Sequence, residues 1–416
     1  MMRRQITNIV RNVHDSYLPA GAGGRSSWSG VAACVFGCTG SIGKSVANRM
    51  GRNGMAAVLP NRGNDFDSAD FGPMFDLGQY VIRDGFDIKR NTDEELMSMI
   101  ANTNVVINLI GAQKPWNQYT MKDVNYDWAI RIAKLVAAKN DGTKLINLHY
   151  LNSADEESRK ESVILQQQWD AENAIREIYP EAIQIRSSFA YGHLDKNYLD
   201  LLRNKRWQNF STAGAWPLLL NGGKHTFHRP LSVGDLSEAI VRIAKHPDSP
   251  GHTFELYGSE RLQLDEIVKN LYEVCNEEAF LFDGIKTTFD PVTKTRTNEP
   301  DGIAAKMRME FLHKHLSYYT MPRPWTAHRF FDMWSRTENN KTNSYQWITK
   351  SMYYQLNQSC KIQNRNNPGL EDLGIIPEKM STGLYGVIGV FERNHYQYQV
   401  NNSKAWKNQM KDYVEV

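Results

Sequence analysis

The amino-acid sequence predicts an α/β fold, a doubly wound parallel sheet with a smaller mixed C-terminal lobe. Three observations predict it. Between Val31 and Arg186, short β-branched or apolar runs alternate with helical stretches, the pattern of parallel strands joined by crossover helices. The first run leads directly into glycines spaced G-x-x-G-x-x-G, at Gly37, Gly40 and Gly43. From about Asn221 the alternation gives way to mixed, shorter elements.

Residues 1–30 read as a basic leader and Gly-rich arm. Met2, Ile6, Ile9 and Val13 recur at helical spacing among Arg3, Arg4 and Arg11, with no acid before Asp15. That pattern fits an import signal or an ordinary basic arm equally well. Residues 31–220 hold the predicted strands Val31–Phe36, Ala56–Leu59, Tyr80–Arg83, Val105–Leu109, Leu145–His149 and Ile183–Arg186. Between them lie predicted helices Ile42–Arg52, Asp93–Ala101, Val124–Ala138 and Ser162–Ile178. Six strands with crossovers match the doubly wound dinucleotide fold. Residues 221–400 form the smaller lobe, with helices Ser232–Ala244 and Gln263–Cys275, and 401–416 a tail. Cys275–Met321 is charged and weakly periodic, and is predicted to be an inserted, partly irregular segment.

A chain of 416 residues suggests two or three domains. With 41% hydrophobic and 23% charged residues it has the composition of a globular protein with a real core. The 49 basic and 46 acidic residues leave a net +3, too small a field for a general nucleic-acid binder. Cys34, Cys38, Cys275 and Cys360 form no C-x-x-C pair, which argues for reduced thiols rather than a zinc ribbon or disulfide framework. No apolar run approaches the roughly 18–20 residues that span a bilayer.

The glycine string ends a strand and opens a helix, as a Rossmann-type phosphate-binding loop must. Gly37 permits the tight turn, Gly40 lets backbone N–H groups reach a pyrophosphate, and Gly43 lets the helix pack close to the strand. An NAD-specific site places an acid at the end of the second strand to hold the ribose 2′-hydroxyl. Here that position reads Pro60-Asn61-Arg62, and no acid appears before Asp65. A guanidinium suits a 2′-phosphate, and Lys44 adds a second positive charge, so NADPH is the expected cofactor. The plainer reading makes Arg62 and Lys44 solvated surface residues.

Gly37–Gly43, Asn108-Leu109-Ile110-Gly111 and Arg229-Pro230-Leu231-Ser232-Val233-Gly234-Asp235 resemble the extended and atypical short-chain dehydrogenase/reductases. Gly24-Arg25-Ser26-Ser27, Val105–Gly111, Tyr179–Ile183 and Pro368-Gly369-Leu370-Glu371-Asp372-Leu373-Gly374-Ile375 are similar, within that group, to the NADPH-binding accessory subunits of mitochondrial respiratory complex I. The match runs from about Gly23 to Glu378, interrupted near Cys275–Met321. The resemblance implies that Gly37, Thr39, Gly40, Ile42 and Gly43 meet the pyrophosphate and Arg62 the adenosine phosphate; Ser41, in the same loop, is expected to belong to the cofactor site as well. It implies further that Asn108, Leu109, Ile110 and Gly111 meet the ribose and nicotinamide side. Arg186, Ser188 and Phe189 border the nicotinamide, although Ser187 replaces the family's usual proline. The implied partners are other complex I subunits, on the matrix side of the inner membrane, with possible contact at the membrane interface.

Active members carry a serine after the fifth strand and a Y-x-x-x-K pair on the next helix, where tyrosine moves the proton and lysine lowers its pKa. None of the 19 tyrosines here has lysine four positions later. Alignment on Tyr179–Ile183 puts His149, Ile164 and Gln168 in the three positions, so the chain is expected to be non-catalytic. The alternative is an active NADPH-dependent reductase or sugar-nucleotide epimerase using Tyr150 or His149 as its acid. His225-x-x-His228 is a weak metal candidate, more often a surface or core pair, and Asp155-Glu156-Glu157 reads as a solvated face. The aromatic and basic stretch Met321–Trp334 either packs on the sheet domain or docks against a partner or the membrane interface.

Overall fold

All six predicted runs form parallel strands, and a seventh from much later in the chain joins them. The computed structural model describes residues 28–62, 80–113, 119–192, 195, 198–199, 202, 223–274, 285–289, 296–300, 350–364 and 366–391. The predicted leader, Gly24–Ser27, Cys275, Met321–Trp334 and the tail lie outside the described residues. The strands are β1 (Ala32–Phe36), β2 (Ala56–Pro60), β3 (Tyr80–Arg83), β4 (Val105–Asn108), β5 (Lys144–Tyr150), β6 (Ile183–Ser187), β7 (Ala190–Tyr191), β8 (Phe227–His228), β9 (Leu231–Ser232), β10 (Thr253–Leu256), β11 (Leu262–Gln263), β12 (Ile285–Phe289) and β13 (Arg296–Pro300). The main sheet runs β10-β6-β5-β4-β1-β2-β3, parallel throughout. Three two-stranded ladders, β7 with β9, β8 with β11 and β12 with β13, complete the described strands. The last pair is antiparallel and lies within the segment expected to be partly irregular.

The helices are α1 (Ser41–Arg52), α2 (Asp93–Ile100), α3 (Trp128–Lys139), α4 (Glu156–Glu161), α5 (Val163–Ile178), α6 (Val233–Lys245), α7 (Leu264–Val274), α8 (Lys350–Leu356) and α9 (Met380–Phe391). Strand side chains alternate faces, and both faces are covered, which is why the strands are nearly continuous apolar runs. Ala33 and Val35 join Val46, Met50, Leu236 and Ile240 on the α1/α6 side. Cys34 and Phe36 join Leu96, Ile132, Val136 and Ile175 on the α2/α3/α5 side. There Phe36, Phe86 and Trp128 meet ring to ring, with centroids 5.1–5.4 Å apart. A capping box of Thr92 and Glu95 starts α2, and Asn140 at φ 47° ends α3.

Past residue 220 the chain serves two cores. α6 and β10 complete the sheet layer, while α7 packs Leu264, Ile267 and Leu271 with Tyr191, Leu356, Met380 and Leu384 in a second cluster. The C-terminal segment then returns over the sheet edge. Glu255 N donates to the Pro368 carbonyl at 3.0 Å, and Arg242 donates to the carbonyls of Leu373 (2.7 Å) and Gly374 (3.0 Å). Leu370, Leu373 and Ile375 are buried in the α1/α6 core, so the Pro368–Ile375 string is spent on the chain's own fold. Cys34 and Cys38 are buried free thiols, and burial pushes that of Cys38 up to about 12. Among the described residues no helix is long and apolar enough to cross a membrane.

Candidate dinucleotide-binding site

Between Phe36 and Ser41 the chain must turn from a buried strand into a helix packed against it. Gly37 does so at φ +86°, a left-handed conformation, and a Cβ there would stand 3.0 Å from the Leu109 carbonyl carbon. Gly40 N donates to Gly37 O at 3.1 Å and closes the turn. A Cβ on Gly43 would fall 2.1 Å from Gly37 O and 2.8 Å from Cys38 Cα, so only glycine lets α1 lie this close. Gly40 is the N-cap of α1; no side chain caps it and the first turn holds no acid. The first N–H groups of α1 and its positive end are therefore left for an anion from elsewhere.

The loop opens on a cleft of about 610 Å³ along the carboxyl ends of the strands. It sits where the sheet order reverses, β2 and β3 running one way from β1 and β4, β5 and β6 the other. Gly37, Thr39, Gly40, Ser41, Ile42, Gly43, Arg62, Leu109, Ile110, Gly111, Ser188 and Phe189 all line it. At the β2 end Arg62 is exposed beside Pro60, Phe86 and Ile88.

Lys44, Asn108 and Arg186 stand outside the lining, and each has a physical reason. Lys44 N makes the first full helical bond to Gly40 O, at 2.9 Å, and its side chain is turned roughly 100° around the axis from Gly43. Asn108 is buried behind the loop, accepting from Trp128 Nε1 (3.0 Å) and Ile110 N (3.3 Å) while its Nδ2 donates to Asn147 Oδ1 (3.1 Å). It holds the β4 turn in shape rather than facing a ligand. Arg186 is buried between two carboxylates, donating to Glu172 at 2.8 and 3.0 Å and to Glu255 at 3.2 Å. Alternation along β6 could not tell which side of the strand end would hold the charge.

At the opposite end, β5 and β6 bring His149, Tyr150, Ser187, Ser188 and Phe189 to the cleft, with Gln113 from the β4 turn, Gln168 from α5 and Met352 from α8. Sequence reasoning missed Gln113 and Met352; the second comes from far along the chain, where only the tertiary fold reveals it. Tyr150 Oη accepts from Gln113 Nε2, and its ring lies 5.8 Å from that of Phe189, itself stacked 4.7 Å from Tyr198. Burial outweighs the Gln113 bond and pushes the Tyr150 phenol up to about 12. Burial likewise lowers the His149 imidazole below its ordinary range, despite the nearby Glu172 and the 2.9 Å bond to Gln184. Ile164 is fully buried, and Gln168 Oε1 accepts from Tyr150 N at 3.0 Å. Among the described lining residues Arg62 is the one permanent cation.

The weaker candidates resolve into structure. His228 is buried against the Tyr198 hydroxyl at 2.9 Å, and burial lowers its imidazole to about 4. No group of metal-ligating side chains occurs among the described residues. Asp155 caps α4, and Lys361 bridges it to Glu157 at 3.0 and 2.6 Å.

No family model matches the chain. A Rattus norvegicus protein named NADH dehydrogenase (ubiquinone) 1 alpha subcomplex subunit 9, mitochondrial, is 30% identical over 390 residues, covering 94% of this chain and 87% of its own length. The NADH-ubiquinone oxidoreductase 40 kDa subunit of Neurospora crassa is 30% identical over 265 residues, 64% of this chain and 66% of that protein. The Arabidopsis thaliana protein bearing the alpha subcomplex subunit 9 name is 31% identical over 62% of this chain and 61% of its own length. A solved structure described among pinoresinol-lariciresinol and phenylcoumaran benzylic ether reductases superposes with a TM-score of 0.55 at 12% identity, over 86% of this chain and 99% of that one, and shares the fold. With the glycine cradle, the seven-stranded parallel sheet and a relative matched along almost its whole length, the chain belongs to the family of mitochondrial NADH dehydrogenase (ubiquinone) 1 alpha subcomplex subunit 9.

Proposed function

We propose that this chain is a non-catalytic, NADPH-binding accessory subunit of mitochondrial NADH:ubiquinone oxidoreductase, complex I. It sits peripherally on the matrix side of the inner membrane and supports assembly of the complex. One observation carries the reading: a single cleft joins an uncapped helix N-terminus to Arg62 and places no lysine among its described lining residues. The close packing that glycine alone allows at Gly37 and Gly43 brings the uncapped N–H groups of α1 to the cleft, where they would hold a pyrophosphate. Arg62 would grip the 2′-phosphate as a planar fork, and Phe86 with Ile88 would cover the adenine. A nicotinamide bound at the other end would supply hydride chemistry. The protein side of such chemistry is weak there, because a phenol pushed up to about 12, in a cleft with no lysine among its described lining residues, is a poor proton donor at neutral pH. His149 is held neutral by burial. Bound NADPH would then stabilise the folded chain by mass action, and other complex I subunits would be its partners.

Two results are expected. Denaturing the purified protein releases NADPH at near one per chain, and the reduced nicotinamide is not oxidised by a panel of aldehydes, ketones and sugar nucleotides. NADH alone in the extract, or a steady rate abolished by Tyr150→Phe, would overturn the assignment. Arg62→Glu is expected to weaken NADPH by about 1.5–3 kcal/mol through lost charge-assisted bonds, leaving NADH affected far less; equal losses for the two cofactors would remove Arg62 from the 2′-phosphate site.

A further inference from the structure

We infer that the acidic corner where α6, the turn before β11 and the start of α9 meet is a docking surface for an arginine- or lysine-bearing face of another complex I subunit. The inference rests on the accessory-subunit reading above and gives its interface a place and a chemistry. Asp235 in the first turn of α6, Glu260 before β11 and Glu378 before α9 come together there. Asp235 Oδ2 accepts from Glu378 N at 2.7 Å, and Glu260 accepts from Ser381 N (3.3 Å) and Ser381 Oγ (3.1 Å). Those bonds and the helix ends offset part of the negative charge. No ion pair offsets the rest among the described residues. Arg49, whose charge reaches Asp235, is bonded to Glu238 at 3.2 Å, and Lys379, next to Glu378, pairs with none of the three. Burial, with repulsion from Glu378, holds the Asp235 carboxyl above its ordinary range. Like charges held together this way repel, and a cation brought to them relieves the repulsion.

A buried hydroxyl points the same way. Tyr191 on β7 is 0% exposed and its Oη has no hydrogen-bond partner. It stands against the corner: a Cβ built on Gly383 would lie 2.8 Å from Tyr191 Oη and 3.1 Å from Glu378 Oε1. Buried hydroxyls are almost always partnered. A cation that pins the Glu378 carboxylate against α9 would give this one its acceptor, since Tyr191 could then donate to Glu378. Two further observations select a protein side chain as that cation. No group of metal-ligating side chains occurs among the described residues, so the acids do not converge on a single ion. Two residues before Glu378, Ile376 is 92% exposed, an apolar knob that the alkyl stem of an arginine or lysine can cover while its head meets the carboxylates.

The test uses the full chain, expressed in cells that lack the native one. With Ile376 replaced by a benzophenone amino acid, irradiation of the purified complex is expected to cross-link the chain to another complex I subunit, at a peptide that mass spectrometry shows to carry arginine or lysine. Glu378→Lys is expected to raise the fraction of chain washed from the complex at moderate salt by about tenfold, and reversing the charge of the cross-linked partner residue should restore retention. The isolated variant should keep its melting temperature, because the Glu378 side chain is exposed and makes no bond within the protein. Tyr191→Phe removes a hydroxyl that has no partner in the isolated chain, so stability should hold or rise while retention on the complex falls. A cross-linked peptide without a basic residue, no cross-link to another subunit, or wild-type retention of Glu378→Lys would overturn the inference. A lower melting temperature in both isolated variants would overturn it too, reducing the corner to capping of α6 and α9. A wild-type chain absent from complex I would instead overturn the accessory-subunit reading beneath it.

Discussion

Gly40→Asp is expected to leave the chain folded and its cleft empty. Gly40 has φ −71° and ψ 167°, an extended conformation any residue adopts, and a Cβ there would stand 3.3 Å from Gly37 O, tight but short of a clash. Aspartate is also a favoured N-cap, its carboxylate accepting from the first free N–H groups of a helix. In α1 those are the groups that would otherwise meet a pyrophosphate, so the introduced carboxylate stabilises the helix while taking the ligand's place and repelling it. NADPH retained on purification should drop from near one per chain to none, an affinity loss of about a hundredfold or more. The melting temperature of the ligand-free protein should hold or rise. Gly43→Ala behaves differently, since its Cβ would overlap Gly37 O at 2.1 Å, and it should lose fold and ligand together. Introduced into cells lacking the native chain, Gly40→Asp should lower the amount of assembled complex I seen on native gels. Full assembly around an empty chain would show that NADPH is dispensable for docking and sink the structural-ligand reading.

The sheet and the phosphate loop were legible because local chemistry dictates them. Apolar runs bounded by turns can bury only as central strands, and a strand entering a helix through three spaced glycines has few other uses. β10 was not legible. Thr253–Leu256 is four residues long and follows mixed sequence, so nothing local distinguishes it from the two-residue strands around it; its place is held by backbone pairing with β6 and by burial of Phe254 and Leu256 in the α1/α6 core. In the site, residues that act through the backbone were readable from glycine spacing. Those that act through side-chain direction were not, as Lys44 and Arg186 show. The Pro368–Ile375 string stood out as specific to the family, and its location gives one physical reason: Leu370, Leu373 and Ile375 close the edge of the sheet core. Ile376, by contrast, is 92% exposed.

Arg186→Met is expected to destabilise the protein by about 3–5 kcal/mol at neutral pH, the usual consequence of removing one partner from a buried ion network. Glu172 on α5 and Glu255 on β10 are 0% and 1% exposed, and Arg186 donates to both. Arg176 also reaches Glu172, at 2.7 Å, and Asn367 reaches Glu255, at 2.9 Å, so the network ties α5, the sheet edge and the returning C-terminal segment together. Burial alone would raise the Glu172 carboxyl, but the bonds and charge of Arg186, with the bond from Arg176, outweigh it and hold the group below the ordinary glutamate range. A carboxyl depressed in the folded state contributes stability above its unfolded pKa and loses it as pH falls through the folded value. In Arg186→Met the sign reverses, because burial without its main partner makes the folded carboxyl easier to protonate than the unfolded one. The deficit should therefore be largest near neutrality, roughly 3–6 °C in melting temperature, and narrow as the solution is acidified towards the glutamate range. Glu172→Gln/Arg186→Met/Glu255→Gln, which removes all three charges while keeping their volumes, should recover more than half of the loss and most of its pH dependence. A deficit that is independent of pH and unrelieved in the triple variant would mean that Arg186 acts here by packing against Trp169, 5.5 Å away, and not by charge.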